Sequence, residues 1–231
     1  MGIEQTRRFG VVALDRFLAQ CQVRRVPAKT TVVSGGEAST SLYFIMEGSV
    51  AVISEDEDGQ EIVVAYLNRG EFFGEMGLFQ ETATRSARVR TRGECVLGEI
   101  SYARFRELAR SDPDLLFELA SQLAARLKVT TRKVRDLVFL DVAGRIARTL
   151  LDLCEQPDAL THPDGMQIRI SRQEIGRIVG CSREMAGRVL KLLEEQALIT
   201  AAGKTIVVLG ARPGSNRVVP LTSRLHRHKQ N

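Results

Sequence analysis

The chain has 231 residues, 44% of them hydrophobic, enough to fill the cores of two ordinary domains. Its net charge of +5 invites a nucleic-acid reading, but residues 211–231 hold five of the 33 basic residues and no acid. Without them the chain carries 28 residues of each sign, so bulk charge alone selects no partner.

No apolar run approaches the ~20 residues of a membrane helix, and the first ten residues lack a signal-peptide core. The four cysteines (Cys21, Cys95, Cys154, Cys181) are scattered and form no C-x-x-C pair. This predicts a cytoplasmic protein with reduced, structural thiols and no membrane partner. Only His162 lies in the body of the chain, which leaves a zinc site or a histidine-based catalytic centre few parts. The composition does not suggest an enzyme.

In chain order, Val12 to Leu18 is an amphipathic segment, followed by a basic pair, Arg24 and Arg25, closed by Pro27. From Thr30 to about Ile100, short β-rich runs alternate with glycine; Leu42–Met46, Val50–Ile53, Ile62–Leu67 and Cys95–Ile100 are the clearest. Asp58-Gly59 is a hairpin signal. Strands of this length and number predict an all-β sandwich or jelly roll, closed by a short helix over Tyr102–Ala109.

Within the β region lies FFGEMGLFQETATRSARVR, Phe72 to Arg90. Gly74 lets backbone N–H groups approach a ligand closely, and a helical turn from Glu75 would aim its positive end at an anion. Arg85 and Ser86 supply a fixed charge and a hydroxyl, a natural pair for a phosphate, while Glu75 can accept from a sugar hydroxyl. The same residues also suit a glycine-rich surface loop with a solvated arginine. No G-x-x-x-x-G-K-[ST] element supports nucleotide hydrolysis.

Pro113 to Val138 reads as one long helix. Leu116, Leu119, Leu123, Leu127, Thr130, Val134 and Leu137 recur at spacings of three and four, close to a heptad seam for helix-on-helix dimerisation. Packing against the chain's own β domain would use the same stripe. Thr130 and Thr131 are hydroxyls near its end. Phe139-Leu140-Asp141 reads as a hinge, and Val142–Cys154 as a further helix with Ile146, Leu150 and Leu153 on one face. Ala159 to Gln167 is expected to be a turn-rich exposed loop.

Ser171 and Glu174 form a capping box that starts a helix through Ile175, Ile178 and Val179. Gly180-Cys181 ends it, and Ser182 caps a second helix with Val189, Leu190 and Leu193 as its apolar face. The outer side carries Arg183, Glu184, Arg188 and Lys191. Arginine can grip guanine O6/N7 with two parallel hydrogen bonds, and glutamate can accept from cytosine N4. An ordinary helical hairpin with a solvated charged face has the same spacing. Six basic residues against two acids between Ile168 and Lys191 favour double-stranded DNA. Leu198–Ala201 and Lys204–Leu209 read as a small β wing. The tail from Ala211 has no periodicity and is expected to be disordered.

Five segments together resemble the Crp/Fnr family of bacterial transcription regulators: GEMGLF (Gly74–Phe79), RSARVR (Arg85–Arg90), FLDVAGRIARTLLDL (Phe139–Leu153), THPDGMQI (Thr161–Ile168) and RQEIGRIVGCSREMAGRVLK (Arg172–Lys191). The likeness spans roughly residues 12 to 210. It implies an α+β chain: a cyclic-nucleotide-binding β-roll (jelly roll) over 1–112, a dimerisation helix and hinge over 113–139, a winged helix-turn-helix over 140–210 and a basic tail over 211–231.

By position, the resemblance implies that Gly74, Glu75, Arg85 and Ser86 hold the ribose and cyclic phosphate of cyclic AMP. Ile62, Val64, Met76 and Arg126 would complete the pocket, and Thr130 and Thr131 would reach the adenine, one of them from the partner of a homodimer. Arg183, Glu184 and Arg188, with Lys191, would read a palindromic TGTGA-like site, while Ser171, Arg172 and Ser182 hold phosphates. Thr161, His162, Pro163 and Gly165 would match a patch that touches RNA polymerase. Departures are Gln22 and Arg24, where the best-known member has histidines in a second polymerase patch, and Met185, which replaces a threonine. Members that respond to cyclic-di-GMP carry an acid after the arginine; Ser86 here favours a cyclic mononucleotide.

Overall fold

The computed structural model describes residues 11–80 and 84–213. The tail expectation falls almost wholly beyond 213, outside the described residues. Two compact units divide the chain, Met1–Thr130 and Thr131–Asn231.

The first unit opens with helix α1 (Val11–Leu18) and strands β1 (Gln22–Val26), β2 (Thr31–Val33), β3 (Ser41–Glu47), β4 (Ser49–Glu55), β5 (Glu61–Asn68) and β6 (Phe72–Phe73). After them come the single turn α2 (Met76–Phe79), strands β7 (Arg88–Thr91) and β8 (Cys95–Ser101), helix α3 (Tyr102–Ser111) and the start of helix α4 (Asp114–Phe139). The strands form two antiparallel four-stranded sheets, ordered β1-β8-β3-β6 and β2-β7-β4-β5. Val26, Tyr43, Ile45, Val50, Leu67, Phe73, Val89 and Leu97 form one buried cluster contributed by both sheets, the sandwich core expected of alternating strands.

Asp58-Gly59 makes the β4–β5 turn as expected. Asp56 Oδ1 accepts from the N–H groups of Asp58 and Gln60, and Gly59 sits at φ +77. In this unit four strands escaped the sequence reading: β1, β2, β6 and β7. Three of the five residues of β1 are polar or charged and only Val26 is buried, while Arg88–Thr91 turns Val89 and Thr91 inward and its arginines outward. Charged alternation on a half-solvated strand leaves little hydrophobic signal.

A second cluster joins the helices to the sheet bearing β3 and β8. Phe17 packs edge-on against Phe44, Phe72 and Phe105 at centroid separations of 5.4 to 6.3 Å. Leu115 and Leu119 of α4 are fully inside this cluster, and Leu123 packs against it. This corrects the single dimer seam. The first three turns of α4 are used on the chain's own β domain, whereas Leu127, Val134 and Leu137 are each more than half exposed. A repeat of threes and fours marks an apolar stripe but does not say which partner covers each turn.

In the second unit, Asp141 caps α5 (Val142–Cys154) by accepting from the Gly144 N–H at 2.9 Å. Strand β9 (Leu160–His162) and strand β10 (Gly165–Arg169) follow, then α6 (Arg172–Val179), α7 (Arg183–Glu195), β11 (Ile199–Ala202) and β12 (Thr205–Leu209). The sheet order is β11-β12-β10-β9. The wing is therefore twice the hairpin expected, and residues 159–167 are a β-hairpin, not a loop. Met166 and Ile168 are buried against β12. The turn residues Pro163-Asp164-Gly165 hid a strand whose alternation begins immediately after them.

Candidate ligand pocket and nucleic-acid interface

The candidate pocket is built where β6 runs into α2. Gly74 lies at φ +77, and a Cβ there would stand 2.5 Å from Arg85 Nη1 and 3.2 Å from the Ser41 carbonyl. Only glycine lets the backbone come this close. Arg85 is not a solvated loop arginine; it is 9% exposed. Its Nη1 donates to the Gly74 carbonyl (3.1 Å) and to the Tyr102 hydroxyl (3.2 Å), and its Nη2 to the Ser41 carbonyl (2.8 Å). The Tyr43 ring centroid lies 5.6 Å from the guanidinium carbon.

Every one of these acceptors is neutral, and among the described residues no carboxylate pairs with Arg85. A buried cation held only by neutral dipoles is costly unless an anion joins it. That is the chemistry of an anion site.

Around it, Ser86 Oγ donates to Met76 Sδ at 3.2 Å, which brings those two residues together. Glu75 is already engaged: it stands at the start of α2 without a side-chain capping bond, and its carboxylate pairs with Arg126 at 3.3 Å. Arg126 also donates to the Phe72 carbonyl and lies 3.7 Å from Glu71. Burial pushes the Glu71 carboxyl above its ordinary value, outweighing the Asn68 N–H and Arg126, which pull it down. Glu75 is thus fixed by α4 before any sugar reaches it. Ile62 and Val64 are exposed on β5, opposite in direction to buried Val63. Thr130 and Thr131 are exposed on α4, Thr130 one turn past Arg126.

The structure brings Gly74, Glu75, Met76, Arg85, Ser86 and Arg126 into one neighbourhood. Ser41, Ser39 and Tyr102 were missed by the sequence reading. A carbonyl and a core tyrosine give no motif, and the contacts cross 17 to 63 positions of chain.

The candidate nucleic-acid interface is the α6–α7 pair. Ser171 accepts from the Glu174 N–H (3.2 Å), and Ser182 from the Met185 N–H (3.1 Å), as the capping signals predict. Gly180 adopts the left-handed conformation that ends α6, and its N–H donates to the Gly176 carbonyl at 2.8 Å. A Cβ on Gly176 would stand 2.5 Å from the Cys181 carbonyl, so this position too must stay bare. Ala186, Val189, Leu190 and Leu193 bury the inner face of α7.

On the outer face a concave surface is lined by Arg172, Arg183, Glu184, Gly187, Arg188, Lys191 and Glu194. The Arg172 side chain crosses α7 at Gly187, its Cδ 3.5 Å from where a Cβ would lie. The Glu184 carboxyl is held below its ordinary value by its own backbone N–H and the Ser182 hydroxyl, then by Arg183 and Arg188, so it stays ionised as an acceptor. Lys191 approaches Glu195 at 3.9 Å. Thr161, His162, Pro163 and Gly165 lie together on the β9–β10 hairpin, where the Asp164 N–H donates to His162 Nδ1 at 3.3 Å.

Among the described residues no cluster of three or more His, Cys, Asp or Glu could hold a metal, and no helix is long and apolar enough to cross a membrane. Residues 23–112 match the cyclic nucleotide-binding domain, and residues 144–212 the Crp-like helix-turn-helix domain. The chain is 60% identical over 202 residues to the cAMP-activated global transcriptional regulator Vfr of Pseudomonas aeruginosa, covering 86% of this chain and 94% of that protein. It is 57% identical over 199 residues to the cAMP-activated global transcriptional regulator CRP of Escherichia coli O157:H7, covering 86% and 95%. Among solved structures it is similar to the c-di-GMP responsive global regulator CLP of Xanthomonas campestris, at 48% identity and TM-score 0.81, covering 86% of this chain and 99% of that one.

Proposed function

The chain belongs to the Crp family of transcription regulators, and we propose that it is a cyclic AMP-gated, homodimeric reader of palindromic DNA. The observation that carries the ligand half is Arg85, a buried guanidinium whose partners among the described residues are all neutral. Cyclic AMP supplies one phosphate negative charge, a ribose hydroxyl and an adenine edge. Arg85 and Ser86 would hold the phosphate, Gly74 leaves room for the Arg85 guanidinium, and Glu75, steadied by Arg126, would accept from the ribose. Thr130 and Thr131 would meet the adenine. The likeness to relatives named as cAMP-activated supports this choice.

Arg183, Glu184 and Arg188 would read base edges of a TGTGA-like half-site, Lys191 would support them, and Ser171, Arg172 and Ser182 would hold the phosphate backbone. The exposed turns of α4 around Leu127, Val134 and Leu137 would meet the same turns of a second copy. The hairpin bearing Thr161, His162, Pro163 and Gly165 would contact RNA polymerase. The ligand acts only through its differential affinity for the two placements of the reading heads.

Isothermal titration with cyclic AMP, cyclic GMP and cyclic-di-GMP, followed by DNA binding with each, tests this reading. Binding of cyclic AMP with enhanced DNA affinity is expected. Cyclic-di-GMP binding that weakens the DNA complex, with no response to cyclic AMP, would overturn it.

A further inference from the structure

Arg85 is held in place before a ligand arrives, and one hydroxyl does much of the holding. An arginine has five N–H donors in a fixed fork. Nη1 gives to Gly74 and Tyr102, whose two oxygens stand 2.5 Å apart, and Nη2 gives to Ser41. Among the described residues Nε–H takes no hydrogen-bond partner, and it shares one edge of the guanidinium with Nη2. That edge is the one that binds a phosphate through two parallel hydrogen bonds.

The Tyr102 hydroxyl is the hub of this arrangement. It donates to the Gly74 carbonyl at 2.5 Å, accepts from Arg85 Nη1 at 3.2 Å, and lies 2.6 Å from Ser39 Oγ. A phenol has one proton to give and two lone pairs. Donation to Gly74 uses the proton, so both Arg85 and Ser39 must donate to the oxygen. The hydroxyl is then fully satisfied in one orientation only.

Its ring cannot swing away either. Tyr102 is 7% exposed and belongs to the buried cluster with Phe105, Leu115 and Leu119. Its backbone N–H donates to the Thr40 carbonyl at 3.0 Å, next to Ser41, another anchor of the arginine. At Gly77 a Cβ would stand 2.8 Å from the same hydroxyl, so the α2 turn closes over the hub only because that residue is glycine.

We propose that Tyr102 is a positioning residue for cyclic-phosphate binding: its hydroxyl locks the Nη1 side of Arg85 so that the Nε–Nη2 edge faces the ligand. This rests on the cyclic AMP reading given above. A free arginine side chain loses rotamer entropy when it grips a phosphate. Here that loss is taken up in folding, by a core tyrosine, so affinity is gained without any contact between Tyr102 and the ligand.

The test is a double-mutant cycle on the full chain, read by isothermal titration with cyclic AMP. Tyr102→Phe keeps the ring and its packing and removes only the hydroxyl; it should weaken binding about tenfold, the usual scale for a hydrogen bond to a charged group. In an Arg85→Lys background, where no fork exists to orient, the same change should alter affinity less than about twofold. If lysine lowers affinity beyond the calorimetric range, displacement of a fluorescent cyclic nucleotide at millimolar cyclic AMP reads the same cycle. Ser39→Ala, which removes a donor to the hub, should weaken binding by a smaller factor.

Wild-type affinity in Tyr102→Phe, with or without a lowered melting temperature, would overturn the proposal. So would an equal loss in both backgrounds, which would mean that the hydroxyl acts independently of Arg85. A wild type that binds no cyclic AMP would sink the functional reading itself, a result distinct from a bound wild type and an unaffected Tyr102→Phe.

Discussion

At the scale of single residues, the chemistry rests on side chains placed where water cannot compensate them. Arg85 offers a charge that three neutral oxygens orient and none neutralises. Arg85→Leu should therefore abolish detectable cyclic AMP binding while far-ultraviolet circular dichroism keeps its native form; unchanged affinity in calorimetry would dismiss the pocket. The thiols show burial acting the other way. Burial pushes Cys21 and Cys154 up to about 12, with Glu155 adding to the second, and burial also raises Cys95 and Cys181. Because the thiolate is the nucleophile, the raised values should slow the reaction of these cysteines at neutral pH. A disulfide-forming chromogenic reagent should titrate them slowly in the native protein and all four rapidly in guanidinium. Rapid native reaction of all four would refute that burial.

At the scale of elements, α4 is the instructive case, because its two halves serve different surfaces. Leu119→Ala should cost about 2–5 kcal/mol of stability, as expected for a fully buried leucine that leaves a cavity. Leu127→Glu lies on an exposed turn and should leave the melting temperature nearly unchanged while converting a dimer to monomers by light scattering. A dimer mass that survives Leu127→Glu would remove that face as the interface. The seam was legible in the sequence as a stripe, but its division was not. Nothing local distinguishes Leu119, which joins the buried cluster that holds Phe17 of α1 and Phe105 of α3, from Leu127, which meets solvent. The helix-turn-helix was legible almost residue by residue, because caps and glycines are local signals: Ser171, Gly180 and Ser182 do in the structure what their types dictate. The β9–β10 hairpin and the anchors of Arg85 were not legible. The first hid behind its own turn residues, and the second depends on chain crossings that no periodicity records.

At the scale of the whole molecule, the boundary between the two compact units falls between Thr130 and Thr131, inside one continuous helix. DNA recognition is best measured at the reading head. If Arg183 and Arg188 each grip a base edge, losing either contact should cost roughly 1–3 kcal/mol and relax preference at one position of the half-site. Arg172 lies across Gly187 at the margin of the same surface. As a phosphate ligand, its loss should weaken binding to all sequences alike and lower the salt dependence by about 0.9 in slope. Two symmetric heads on one face of the duplex require half-sites centred about one helical turn, ~10 bp, apart. Binding-site selection with wild type, Arg183→Ala, Arg188→Ala and Arg172→Ala at two salt concentrations separates these roles. A wild type that selects no palindrome, or arginine variants that keep its full preference, would mean that α7 does not read the bases. Arg172→Ala that changes sequence preference, and not only affinity, would move that residue from the backbone to a base.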